Sequence, residues 1–150
     1  MTAEMIMQIA AAAVGAFGFG LLFRVSGEML LTVTIGGAAN WIFYLLAMEV
    51  YADRVLAFFL SALATAVMAE ILARLLKTPV ITLLVPMLVP LVPGGDLYYT
   101  TLALVQGNMD VFAQYGSMVI KEAGAISFGI IFVACEVQTA TKIWILCKNR

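Results

Sequence analysis

Two stretches of this chain run uncharged for about the length of a membrane crossing. Met5–Phe23 and Met29–Met48 contain no Asp, Glu, Lys or Arg. At 1.5 Å per residue, a helix of either length crosses a hydrocarbon core of about 30 Å. Lipid offers no hydrogen bonds to an exposed backbone, so such runs must close their amides internally as helices. A third run, Val55–Ala73, carries Glu70 as its single charge. The whole composition points the same way. Of 150 residues, 64% are apolar and 11% charged, against about 45–50% and about 25% in soluble domains. A domain of this size could not hide that excess in a core. The expected fold class is therefore an all-α integral membrane protein of about five transmembrane segments, one transmembrane domain over 1–150 with the bilayer as its solvent.

Several functions are disfavoured at once. Net charge is −1, so no basic patch argues for nucleic acid. There is no histidine, hence neither the commonest metal ligand nor the usual general base near neutral pH. Cys135 and Cys147 lie in one late segment and give no zinc or disulfide spacing. No metal and no cofactor is implied. The absence of a Ser-Lys pair or a paired-acid motif argues against an enzyme. The N-terminal residues lack a basic leader region and a clear cleavage site, so the first apolar run reads as a retained helix.

The first span, 5–23, repeats small residues every four positions at Ala12, Ala16 and Gly20, a pattern that lets helices approach closely in lipid. Arg24, Ser26, Gly27 and Glu28 make a short turn. The second span, 29–48, holds Gly36, Gly37 and then Asn40, whose amide must find a partner inside the bundle. Glu49, Asp53 and Arg54 make a polar connection. The third span, 55–73, carries Ala57, Ser61, Thr65 and Ala69 as a small-residue stripe. Glu70 precedes Arg74 by four residues, the spacing of an intrahelical ion pair.

The region 78–106 differs in kind. Its first part, TPVITLLVPMLVPLVPGG, contains every proline of the chain. Thr78-Pro79 reads as an N-cap with proline at the first helical position. Pro86 and Pro90 each remove a helical hydrogen bond and free a carbonyl four residues back. Pro93, Gly94 and Gly95 end the helix; Asp96 reads as the cap of a second half-helix closed by Gly107 at C′. The expectation is a broken fourth span, two half-helices with the break near the bilayer midplane. A re-entrant hairpin is the rival. Beyond it, Lys121 and Glu122 divide an interfacial helix around 111–120 from a last span at 123–141.

Basic residues of short loops prefer the cytoplasm. If the broken segment crosses, Arg24, Arg74, Lys77, Lys142, Lys148 and Arg150 share one side and Arg54 and Lys121 the other, six against two. A re-entrant hairpin would give four and four. The bias favours a crossing, with the N-terminus outside and the C-terminus cytoplasmic.

An irregular backbone in lipid must be buried in protein or line a wet cavity, and broken helices recur at transporter binding sites. The candidate substrate site is therefore Pro86, Pro90, Pro93, Gly94, Gly95, Asp96, Tyr98 and Tyr99. The half-helix after Asp96 offers free amides and a positive dipole end to a carboxylate. Asp96 is either a structural cap or a proton carrier, and Glu70 is a second candidate for proton coupling. Asn40 reads as a polar contact within the bundle. Lys121 and Glu122 read as interfacial, and Glu136 needs a partner such as Lys142 or another chain.

These residues carry a resemblance. The proline ladder VPMLVPLVPGGDLYYTTLALVQGNMDVFAQYG (Val85–Gly116), the later AGAISFGI (Ala123–Ile130) and the order of the first three spans resemble the C-terminal half of the threonine/serine exporter family (ThrE), including its stand-alone, YjjB-like small subunit. The resemblance implies a bacterial inner-membrane secondary exporter of small carboxylates: threonine and serine, or a dicarboxylate such as succinate, driven by the proton gradient. It also implies a larger membrane subunit resembling the N-terminal half of the exporter, oriented inversely as in inverted repeats. Further copies of this chain are the other candidate partner. Asp96 departs from the small residue expected after the glycines, and Asn108 from an expected aspartate; both leave substrate choice open. The competing reading is a non-transporting membrane scaffold whose small-residue stripes serve assembly alone.

Overall fold

In the computed structural model, residues 3–25 and 27–148 are described; Ser26 of the first turn and the terminal Arg150 lie outside them. Helix α1 spans Ala3–Leu22, α2 Glu28–Tyr51, α3 Arg54–Leu75, α4 Val80–Leu88, α5 Gly94–Val105 and α6 Met109–Lys148, with a 3₁₀ turn at Val89–Leu91 extending α4. No strand occurs among the described residues. Helices α1, α2, α3 and α6 are each long and apolar enough to cross a membrane, and α4 with α5 form a fifth, bent candidate.

Large apolar side chains such as Val14, Leu31, Ile35, Leu46 and Ile71 face outward. The interior instead holds Ala12, Ala16 and Gly20 of α1 and Ala57, Ser61, Ala62, Thr65, Ala66, Ala69 and Ala73 of α3. That inversion suits a lipid solvent, where small residues let helix axes close up and pack. A Cβ on Gly37 would run into the Cβ of Ala16. One on Gly129 would stand 2.9 Å from the Phe59 carbonyl and 3.1 Å from the Leu63 amide. Helix α4 fills the space between α2 and α3, burying Leu83, Pro86 and Met87. Asn40 ties the three together: its Nδ2 donates to the Met87 carbonyl at 2.9 Å, and the Ser61 hydroxyl donates to the Asn40 carbonyl at 2.8 Å. Asn40 is thus bonded to both α3 and α4.

Four details differ from expectation. Helix α4 begins at Val80, and Thr78 makes no cap. Lys77 has already turned the chain in a left-handed conformation (φ 51°), with the Thr78 amide on the Ala73 carbonyl. Helix α5 begins at Gly94 behind Pro93, so Asp96 lies inside its first turn and is no N-cap. Lys121 and Glu122 do not interrupt the last segment. The expected interfacial helix and final span are one helix of 40 residues, about 60 Å long. Asn108 starts it, accepting from the Val111 amide, after Gly107 (φ 72°) closes α5 as expected.

The fourth difference is the level of the break. The bend between the 80–91 and 94–105 segments is 61°, but it does not fall halfway along the neighbouring helices. Leu91 packs with Phe58 and Ala62, and Asp96 meets Arg54, the first residue of α3. The break therefore lies level with the end of α3. From there α5 packs against α6 and against no other helix to a comparable extent. Glu122 is level with Arg54, which leaves the residues from Met109 onward, about 20 Å of helix, to run past the end of α3 beside α5. The reason lies in length: α4 and its 3₁₀ extension run from the Ala73 end of α3 almost to the other end before the glycines are reached.

Close packing at Gly129 gives a direct test. Gly129→Ala should destabilise the protein by about 1–3 kcal/mol, the range for overpacking a tight contact, as read by unfolding in detergent. Gly124→Ala, where a Cβ meets nothing within 4 Å, should leave the midpoint unchanged.

Candidate functional site

The loop between α2 and α3 is short. Ala52 turns it in a left-handed conformation (φ 52°), and Asp53 caps α3 by accepting from the Leu56 amide at 3.1 Å. This fixes Arg54 at the first helical position, on the side facing α5 and α6. Its Nη2 donates to Asp96 Oδ2 at 2.8 Å and lies 2.8 Å from Glu122 Oε1. One guanidinium nitrogen thus meets two carboxylates from two other helices. Asp96 is bonded. Glu122, with 0% of its side chain exposed, forms an ion pair with that nitrogen but no well-aligned hydrogen bond at either oxygen. The Arg54 side chain is 42% exposed, so the cluster is open on the arginine side and closed on the glutamate side.

Beside this cluster is the start of α5. The first amides of a helix have no intrahelical acceptor. The Gly94 amide turns back to the Val92 carbonyl, and the Leu97 amide bonds Pro93. Those of Gly95 and Asp96 reach no backbone oxygen outside the helix among the described residues. Cβ atoms at Gly94 or Gly95 would meet nothing within 4 Å. Bare amides, a positive helix end and a guanidinium therefore share one exposed place. Arg54 also answers a difficulty with Asp96. An ionised acid there would repel an anion, and its bond to arginine offsets that charge.

The expected site residues divide into three groups. Pro93, Gly94, Gly95 and Asp96 come together at the break. Tyr98 and Tyr99 lie just beyond it and are exposed; Tyr99 stacks on Tyr115 of α6 at 5.2 Å between ring centres. Pro86 and Pro90 are elsewhere, packed in the bundle, and Asn40 takes up the Met87 carbonyl beside them. Glu70 is not part of this place. It sits near the other end of α3, 3.8 Å from Arg74, as its spacing predicts. There it lines a hollow of about 360 Å³ with Arg74 and the exposed Glu136. Glu136 makes no ion pair with Lys142 or with any other described residue.

Sequence reasoning missed Arg54 and Glu122. Arg54 looked like a loop charge and Glu122 like an interfacial one. A signal was present. Glu122, Ala125, Gly129 and Val133 are all buried, and their spacing of three, four and four is one helical face. Lys121, off that face, is exposed and borders an apolar hollow of about 860 Å³ between α3 and α6.

Replacing Arg54 would strand two acids. Arg54→Leu should lower stability by about 2 kcal/mol, below the usual cost of breaking a buried pair because the arginine is partly solvated. Glu122→Leu added to it should restore most of the loss. Unfolding of the purified variants in detergent checks both values.

Comparison with known proteins adds the following. The model of a family described as threonine/serine exporter, ThrE, matches residues 8–135. No curated protein and no solved structure matches the chain.

Proposed function

The chain belongs to the threonine/serine exporter family, and from that premise we propose that it is the small membrane subunit of a secondary exporter of small carboxylates. The cargo is threonine and serine, or a dicarboxylate such as succinate, and the driving force is the proton gradient. The observation that carries this reading is the pairing of two bare amides at the start of α5 with the half-exposed Arg54. A carboxylate needs donors and positive charge in one place, and this is where the chain supplies them. Gly94, Gly95 and Asp96 would hold the cargo carboxylate, with Arg54 as its counter-charge and Tyr98 and Tyr99 at the rim. The buried Pro86 and the half-buried Pro90 set the course of α4 and contribute to the site by delivering the break to the end of α3.

A bacterial inner membrane is what the family resemblance implies, and the loop charges support an N-terminus outside and a C-terminus in the cytoplasm. In that orientation the break faces outward, and Glu70, Arg74 and Glu136 lie toward the cytoplasm. A partner is supported by the α5–α6 hairpin. Leu97, Tyr98, Tyr99, Leu104, Val105 and Met109 are exposed on it, an apolar surface that a larger subunit resembling the family's N-terminal half would cover. Family membership and the unpartnered amides weigh against a purely structural scaffold.

Co-purification identifies the partner, and the two subunits are then reconstituted in liposomes. Labelled threonine, serine or succinate should cross in a gradient-dependent manner. Gly95→Ala, which meets no protein atom, should leave assembly intact and lower flux about tenfold, equivalent to about 1.4 kcal/mol. Assembly and full flux together in that variant would favour the scaffold, as would the movement of none of the three solutes.

A further inference from the structure

The apolar hollow of about 860 Å³ between α3 and α6 takes no part in the carboxylate site. Phe59 of α3 and Phe128, Ile131 and Phe132 of α6 line it. Gly124 borders it without filling it, since a Cβ there would meet nothing within 4 Å. Its volume falls in the range of small-molecule sites, about 300–1,000 Å³. Along α6 it runs from Lys121 to Cys135, about 20 Å of helix. That is a little more than the depth of one leaflet, about 15 Å of hydrocarbon. The two ends differ. The end at Ile131, Phe132 and Cys135 is uncharged, and the other holds Lys121 and Asp53. Helix α3 has 22 residues, about 33 Å and enough to cross the hydrocarbon core, so its N-cap, Asp53, lies at headgroup level. Lys121 adjoins Glu122, which pairs with Arg54, and lies at the same level. Lys121 is exposed and in no ion pair among the described residues. Asp53 caps α3 through Oδ1, and its Oδ2 accepts no hydrogen bond among the described residues. A free cation and a free anion thus stand at the mouth of an apolar slot.

We propose that the hollow holds one phospholipid whose headgroup carries both a phosphate and a primary ammonium, as phosphatidylethanolamine does. One acyl chain lies along α6 from Gly124 to Cys135. Lys121 donates to the phosphate, and Asp53 Oδ2 accepts from the ammonium. An anionic headgroup without the ammonium would satisfy Lys121 and leave Asp53 facing like charge. A partner helix suits the hollow less well. With its side chains a helix is about 10 Å across, and helices in lipid meet on small residues that let backbones close up. Phenylalanine rings wall this hollow, and a thin chain fits between them. The seat spans α3 and α6, so the bound lipid braces the two helices that bring Arg54 and Glu122 together. The inference does not depend on the export reading.

Native mass spectrometry of the full chain in detergent tests this, with phosphatidylethanolamine and phosphatidylglycerol of equal acyl length offered in equal amounts. One phosphatidylethanolamine should stay bound per chain, favoured about fivefold over phosphatidylglycerol, the scale of one charge at a lipid surface. Gly124→Leu, which fills the slot, should lower that binding about tenfold, within the range for overpacking, and leave the lipid-free melting temperature unchanged. Lys121→Gln should weaken both lipids. Asp53→Asn keeps an acceptor for the cap and should erase the preference while phosphatidylglycerol still binds. Equal retention of the two lipids by the native chain overturns the assignment, as does binding that survives both Gly124→Leu and Lys121→Gln. So does a stable pair of chains that separates in Gly124→Leu, which would give the hollow to a second copy. Should Gly124→Leu melt early, Asp53→Asn still decides, because a preference that survives it contradicts the assignment.

Discussion

One guanidinium nitrogen, 2.8 Å from a carboxylate on α5 and 2.8 Å from another on α6, ties α5, which otherwise packs on α6, back to the end of α3. Helix α5 touches α6 and leaves the rest of the bundle. Among the described residues no other polar contact fixes where the 61° bend lies relative to α3. The contact places the start of α5 at the end of the bundle, with its amides open and positive charge beside them. It also sets a buried acid, Glu122, against a charge it must share. Structure and proposed chemistry depend on the same nitrogen, since the bond that positions the break is the one that cargo would disturb.

The bundle beneath it is built by a different rule. Lipid gives apolar side chains little to gain by turning inward, so the buried faces of α1 and α3 are mostly alanine, glycine, serine and threonine, and the larger Leu83 and Met87 of α4 fill the space these leave. Asn40 supplies the polar fastening at depth, where its amide takes up a carbonyl that the proline-rich segment exposes. This bond fixes α4 between α2 and α3, on the course that brings Pro93 to the far end of α3. The prolines therefore act at a distance. They shape the approach to the proposed site, whose donors would come from Gly95, Asp96 and Arg54.

Much of this was legible in the chain. Uncharged runs mark α1 and α2, and the spacing of small residues marks the buried faces of α1 and α3. Glu70 and Arg74 announce their pairing by position, and the proline-glycine cluster announces a break. The residues 8–135 matched by the exporter family include the ladder that carried the resemblance. What escaped has physical causes. Asp96 looked like a cap because glycines usually lie outside helices, whereas Gly94 and Gly95 open α5 from within. Lys121-Glu122 looked like an interruption because a charged pair in an apolar run suggests an interface. Consecutive helix positions face different ways, however, and one charge points out while the other points in. The level of the break was hidden because it depends on where α4 begins against α3, a tertiary fact that no local pattern encodes.

The central claim is that the break is held at the end of the bundle with its backbone open to a polar guest. A cysteine placed at Gly95 in a chain carrying Cys135→Ser and Cys147→Ser measures this directly through its reaction with a membrane-impermeant maleimide. Rapid labelling from the outer face of the membrane, slowed by threonine, is the predicted result. A cysteine that stays unlabelled from both faces would place the break in lipid or closed protein and contradict the account.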